Sequence, residues 1–246
     1  MTARPARRIL RWTAGLLGGL LVVAAAGIVI WSQTGVYAAE DDAVASVRSN
    51  PAIAVTEDRG QLVLAPADGG SGVGLVFIPG AKVEPWSYAA KLQDLVAEEG
   101  LTVVVTHPWL NLAFFDPRPL DSFTSSAAGV HSWFVGGHSL GGVRACQLAP
   151  DADGLILFAS YCATDLSTQD VPVLSIAGSA DGLSTPQKIA ASRATLPTDA
   201  VLVEIPEAAH SSFGDYGPQA GDGVPGIDDA SMTAEITELV SDFVAP

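Results

Sequence analysis

Charge is scarce in this 246-residue chain: Asp, Glu, Lys and Arg make up 16% of it, against 48% hydrophobic residues. So apolar a chain has side chains enough for a core, which excludes disorder as its main state. Bases are scarcer still, with 12 Lys and Arg against 27 Asp and Glu, a net charge of -15. Four of the 12 are Arg4, Arg7, Arg8 and Arg11, while no acid occurs before Glu40; residues 40–246 therefore hold eight bases against 27 acids, or -19. That body repels a phosphate backbone and has no basic stripe interleaved with aromatics, so no nucleic-acid partner is expected. There are only two cysteines and four histidines, no two of them at ligand spacing, so no metal site is expected. Internal repeats are absent, and the one biased tract is the Gly-rich stretch 214–226, so a repeat array is excluded. At ~100 to 200 residues per domain, the length suits one globular domain with a short appendage.

The appendage is N-terminal. Residues 12–31 carry no charge, and these 20 residues, as a helix rising ~1.5 Å per residue, would span the ~30 Å of a bilayer's hydrocarbon. With the arginines before it, residues 1–11 are expected in the cytoplasm and the body outside, Trp12 and Trp31 marking the two interfaces. The alternative is a cleaved secretory signal, because Val36-Tyr37-Ala38 offers the small-residue spacing a signal peptidase accepts. The apolar run exceeds the ~7 to 15 residues of an ordinary signal, which favours an uncleaved anchor. No cysteine lies near it, which excludes a lipoprotein anchor. Residues 32–50, small and polar without periodicity, read as a tether, so the folded unit is expected over 51–246.

Within that unit, short apolar runs predict eight strands over 52–56, 61–65, 74–78, 101–106, 132–136, 154–159, 173–177 and 200–205. The first two read as an antiparallel hairpin at one edge. Helical spacing predicts a helix over 85–99, with Tyr88, Leu92, Leu95 and Val96 on one face, and another carrying Ile236, Leu239, Val240 and Phe243. Strands interleaved with helices specify an α/β architecture, a doubly wound and mostly parallel sheet covered on both faces.

The segment with the strongest chemical signal is Gly137-His138-Ser139-Leu140-Gly141, a G-x-S-x-G between an apolar strand and a helix-forming stretch. A serine hydroxyl is a poor nucleophile unless it is held exposed beside a base and near donors for a developing oxyanion. A strand-to-helix elbow supplies that exposure, and its crowding demands glycines around the serine.

Together with Ile78-Pro79-Gly80-Ala81-Lys82-Val83 and His210-Ser211-Ser212-Phe213-Gly214-Asp215-Tyr216-Gly217, this segment resembles the α/β-hydrolase fold, more narrowly its single-domain bacterial members of the dienelactone-hydrolase-like type. The resemblance covers about residues 50–246 and implies an esterase-like serine hydrolase needing no cofactor. It implies the chain order nucleophile, acid, histidine, each past the carboxyl end of a different strand. On that order Ser139 is the nucleophile, Asp181 the acid with Asp165 in reserve, and His210 the base; His107, His131 and His138 fall in the wrong places. The oxyanion donors are expected at Leu140 N–H and, after the third strand, Ala81 N–H; Lys82 reads more readily as a lone exposed lysine than as a contact for an anionic substrate group. Only residues 161–170 separate the sixth and seventh strands, too few for a cap domain, so an open site is expected, with Trp109, Leu110, Leu112, Phe114, Phe115, Phe213 and Tyr216 either shaping it or, at least as readily for most of them, packing on the core. The expected substrate is a small-molecule ester, with amides, lactones or peracids, or a non-catalytic binding role, as alternatives. Cys146 and Cys162 fall on neighbouring elements and are either a disulfide or two buried thiols. Oligomeric state leaves no trace in the sequence.

Overall fold

The computed structural model describes residues 3–245, and side chains from Trp12 onward. The side chains of Arg4, Arg7, Arg8 and Arg11 therefore lie outside the described residues. Eight strands form one sheet: β1 Ile53–Asp58, β2 Gln61–Pro66, β3 Val73–Ile78, β4 Thr102–Val105, β5 Ser132–His138, β6 Gly154–Phe158, β7 Val173–Gly178 and β8 Val201–Ile205. Their order across the sheet is β1-β2-β4-β3-β5-β6-β7-β8. β2 runs antiparallel to both neighbours, and every other pairing is parallel. The β1–β2 hairpin closes through Arg59 and Gly60, both at positive φ (50° and 78°), as a two-residue turn with the strands' own twist requires.

The helices are α1 Ala3–Gln33, α2 Asp41–Ser49, α3 Gln93–Ala97, α4 Asp121–Thr124, α5 Leu140–Leu148, α6 Pro186–Ala191 and α7 Asp229–Val244. They cover both faces of the sheet, and alternate side chains of each central strand feed opposite cores. Phe77 and Ile156 join Tyr88, Leu92, Leu95, Ile236 and Val240 on one side. Val76 and Leu155 join Ala145, Cys146 and Leu148 on the other. Buried on both faces, the central strands read as unbroken apolar runs, which is why they stand out in the sequence. No helix or strand occurs between β6 and β7, so no cap covers the sheet there.

Two expectations fail. The helix over 85–99 is broken into a 3-10 turn at Pro85–Tyr88 and the short α3. The turns between them send Lys91 inward, where its ammonium lies 2.8 Å from Asp215 and 2.6 Å from Asp229. Residues 32–50 are not a loose tether. Tyr37 N–H donates to Lys82 C=O at 2.7 Å, Glu84 N–H returns to Tyr37 C=O at 3.0 Å, and α2 buries Val47 completely. One apolar turn in a nine-residue helix is too little periodicity to detect.

One helical stretch among the described residues, Trp12–Gln33, is long and apolar enough to cross a bilayer. Its side chains are exposed as far as Trp31, and Ser32 beyond them is buried against the domain.

Candidate active site

β5 ends at His138 and α5 begins at Leu140, leaving Ser139 alone in the turn at φ 52°, ψ -121°. A side-chain-bearing residue at positive φ is strained and persists only where its surroundings enforce it. Ser139 N–H donates to Phe158 C=O at 3.0 Å, and the hydroxyl of Ser160 donates to Ser139 C=O at 2.7 Å. The elbow is also too tight for side chains around it: a Cβ on Gly141 would lie 2.0 Å from the Ile78 carbonyl oxygen, and one on Gly137 2.5 Å from the Gly141 carbonyl carbon.

Beside the elbow is the turn after β3. Gly80 N–H donates to the Tyr88 hydroxyl at 2.9 Å and Lys82 N–H to Asn111 C=O at 2.8 Å, whereas Ala81 N–H has no acceptor among the described residues. Leu140 N–H, at the start of α5, has none either. Helix-start amides without partners favour negative charge. Lys82 does not face outward for a substrate; its ammonium sits over the Trp31 ring, 4.7 Å from the centroid.

On the far side of β5, Asp181 follows β7 and His210 follows β8. Both are buried, and His210 Nδ1 lies 2.8 Å from Asp181 Oδ2. The other carboxylate oxygen of Asp181 accepts the N–H groups of Leu183 and Ser184, each at 2.7 Å, which fixes the carboxylate plane. Asp165 is exposed, accepts from Ser167, whose N–H lies at 2.9 Å, and has no hydrogen bond to His210.

The structure thus brings Asp181 and His210 together. Ser139 stands at its elbow with its hydroxyl making no hydrogen bond among the described residues, and the ring of the preceding His138 is 4.4 Å, centroid to centroid, from that of His210. His138 is buried between this ring and Tyr88, whose hydroxyl lies 2.9 Å from its Nδ1. Burial, and then the nearby charge of His210, hold the His138 imidazole well below its ordinary pKa despite an opposing contact to the His210 backbone, so it is neutral at pH 7.

Asp222 gave no sequence signal. Its Oδ1 accepts Gly182 N–H at 3.1 Å, His210 N–H at 3.0 Å and Gly223 N–H at 2.7 Å; its Oδ2 accepts Ser211 N–H at 2.8 Å and the Ser211 hydroxyl at 2.9 Å. One carboxylate therefore ties the turn carrying Asp181 to the turn carrying His210. Partial burial pushes its pKa up, but the donors from Ser211, Gly182 and His210 outweigh it and hold the carboxyl below its ordinary value.

The loop residues near the site divide. Leu112, Phe213 and Tyr216 are buried in the core, Phe213 against His138 and Phe158, and so are not free to meet substrate. Trp109, Phe114 and Phe115 are exposed. A cavity of about 460 Å³ opens between the end of α1 and the β1–β2 hairpin, but neither Ser139 nor His210 lines it. Cys146 and Cys162 form a disulfide that ties α5 to the segment after β6. In the acidic group Glu40, Asp215 and Asp229, the buried Lys91 bridges Asp215 and Asp229 and supplies a compensating cation.

Residues 74–234 match the family model described as "Alpha/beta hydrolase family". No curated protein matches significantly. Among the solved structures that share the fold are the following three. A predicted CIB-like hydrolase from Thermoplasma acidophilum is 15% identical with a TM-score of 0.54, over 78% of this chain and 98% of that one. An α/β serine hydrolase without a lid from Xanthomonas campestris is 17% identical with a TM-score of 0.54, over 79% and 96%. An α/β serine hydrolase homologue from Coxiella burnetii is 13% identical with a TM-score of 0.53, over 78% and 97%.

Proposed function

The chain belongs to the alpha/beta hydrolase family, and from that premise we propose that it is a membrane-anchored serine hydrolase that cleaves carboxylic esters outside the cytoplasm. Ser139 is the nucleophile, His210 the general base and then acid, and Asp181 the group that orients His210. Ala81 and Leu140 N–H are the oxyanion donors. The observation that carries the reading is the buried 2.8 Å contact between Asp181 and His210 Nδ1, on the turns after β7 and β8. A carboxylate so placed holds the tautomer with Nε2 free to accept a proton and stabilises the imidazolium that results.

In the reaction, Ser139 Oγ attacks the ester carbonyl carbon as its proton passes to His210 Nε2. The negative oxygen is met by the two N–H groups that have no acceptor of their own. Collapse expels the alkoxide, which leaves as the alcohol with the proton from His210, and an acyl-Ser139 ester remains. Water, deprotonated by His210, then releases the acid and restores the serine. The resting hydroxyl must turn toward Nε2 for the first step, and such contacts commonly tighten only when substrate is bound. Anchoring rests on the Trp12–Gln33 helix and the arginines before it.

The test is labelling of the full chain with a fluorophosphonate, against Ser139→Ala and His210→Ala. Labelling of wild type alone supports the assignment. Labelling that persists in Ser139→Ala overturns it.

A further inference from the structure

We propose that the loop after β4 is a seat in the membrane surface: Trp109, Phe114 and Phe115 lie in the head-group layer of the bilayer crossed by α1, so that the hydrolytic site opens onto that layer and takes acyl esters dissolved in the membrane. This rests on the anchored-hydrolase reading above and narrows its substrate class.

Three large apolar side chains are left in water on a short stretch of the domain: Trp109 is 53% exposed, Phe114 59% and Phe115 38%. Their place relative to α1 decides what covers them. The Trp109–Asn111 turn packs on the last turn of α1. Asn111 Nδ2 donates to Ser32 C=O at 3.1 Å, and Lys82, bonded through its N–H to Asn111, caps the ring of Trp31. Trp31 closes the apolar stretch and so sits where hydrocarbon gives way to head groups, a layer ~5 to 7 Å deep on each side. A turn packed on that last helical turn is within reach of the layer, and aromatic rings are the side chains that favour it.

Charge singles out the same stretch. The body carries -19, yet 107–118 presents no exposed carboxylate: its one acid, Asp116, is buried and paired with Arg118. The loop is also joined to both halves of the site. Lys82, next to the oxyanion donor Ala81, is bonded to Asn111, and the Ala113–Phe115 turn packs on α5, which begins at Leu140. Leu110 and Asn111 sit consecutively at positive φ (58° and 54°), a conformation that asparagine tolerates but that is costly for leucine, held while Trp109 stays out in solvent.

The test uses the full-length chain in phosphatidylcholine vesicles whose acyl chains carry bromine near the head group. Quenching of tryptophan emission should be smaller in Trp109→Phe than in wild type, the difference being the Trp109 contribution. On the same vesicles, Trp109→Ala/Phe114→Ala should lower the ratio of long-chain to butyryl ester hydrolysis by about tenfold. Equal quenching in wild type and Trp109→Phe, with the protein still in carbonate-washed membranes, overturns the seat. Trp109 quenching with an unchanged chain-length ratio overturns the substrate class. Release by the carbonate wash overturns the anchor and the seat with it, whereas ester hydrolysis that survives Ser139→Ala overturns the nucleophile alone.

Discussion

Replacing Asp222 tests whether the Asp181–His210 pair is held from outside itself. Asp222→Ala removes the acceptor of five hydrogen bonds, from Gly182, His210, Ser211 twice and Gly223. Water reaches the exposed side of this carboxylate and can replace some of them, so the full sum of five charge-assisted bonds would overstate the loss. The amides of His210 and Ser211, on buried residues, are the ones left poorly paired, and at ~1 to 3 kcal/mol for each unsatisfied group the expected loss of stability is about 2 to 6 kcal/mol. The effect on catalysis should be separable from it. With the two turns untied, the imidazole loses its fixed place against Ser139, and a displacement of order 1 Å costs ~10²-fold in rate. We therefore expect kcat/KM on a soluble ester to fall about 10- to 100-fold, measured well below the unfolding temperature of the variant. Asp222→Asn keeps one acceptor oxygen and should fall less. Asp228→Ala is the control, since Asp228 caps α7 through Ser231 and touches neither turn. Acid supplies a second reading. The Asp222 pKa is depressed in the folded chain, so its contribution is complete above the ~3.9 of an unfolded aspartate and is lost as pH falls through the lower folded value. The stability gap between wild type and Asp222→Ala should thus be full near neutral pH and shrink below about pH 4. Wild-type kcat/KM in Asp222→Ala, alongside a large loss in Asp181→Asn, would refute the reasoning.

Ser139→Ala and His210→Ala should each lower ester turnover by at least ~10³, and the double variant should be scarcely worse, because one catalytic unit is lost only once; additive losses in single-turnover assays would contradict it. The cross-link spans 16 residues, so Cys146→Ala/Cys162→Ala should cost ~3 kcal/mol in urea unfolding. The wild-type chain denatured without reductant should titrate no thiol, and two thiols would show that the bridge does not form. The catalytic domain should stay with washed membranes and be cut by protease only from outside; a mature domain in the medium beginning near Ala39 would instead identify the apolar segment as a cleaved signal.

What the sequence displayed well was whatever local crowding or double burial imposes on residue type. The parallel strands are apolar throughout because helices cover both faces, and the glycines flanking Ser139 stand where a Cβ would meet backbone. Rank in the chain points to the histidine that meets Asp181, since the fold brings the turns after β7 and β8 side by side. Failures came where a distant partner overrides a local pattern. Tyr88, Leu92, Leu95 and Val96 are all buried as their spacing implies, yet the helix they suggest is interrupted to bring Lys91 to Asp215 and Asp229. Phe213 and Tyr216 follow His210 in sequence, where a ring can meet substrate or pack on the core, and it is His138 and Phe158 that draw Phe213 into the core. Asp222 is the sharpest case. It lies in the Gly-rich stretch that composition marks as loop, and the groups it collects are mostly backbone N–H donors, which every residue but proline carries and no sequence pattern distinguishes. A carboxylate that gathers such donors differs from a solvated aspartate only after the chain has closed, so residue order located the Asp181–His210 pair while what holds it emerged from the fold.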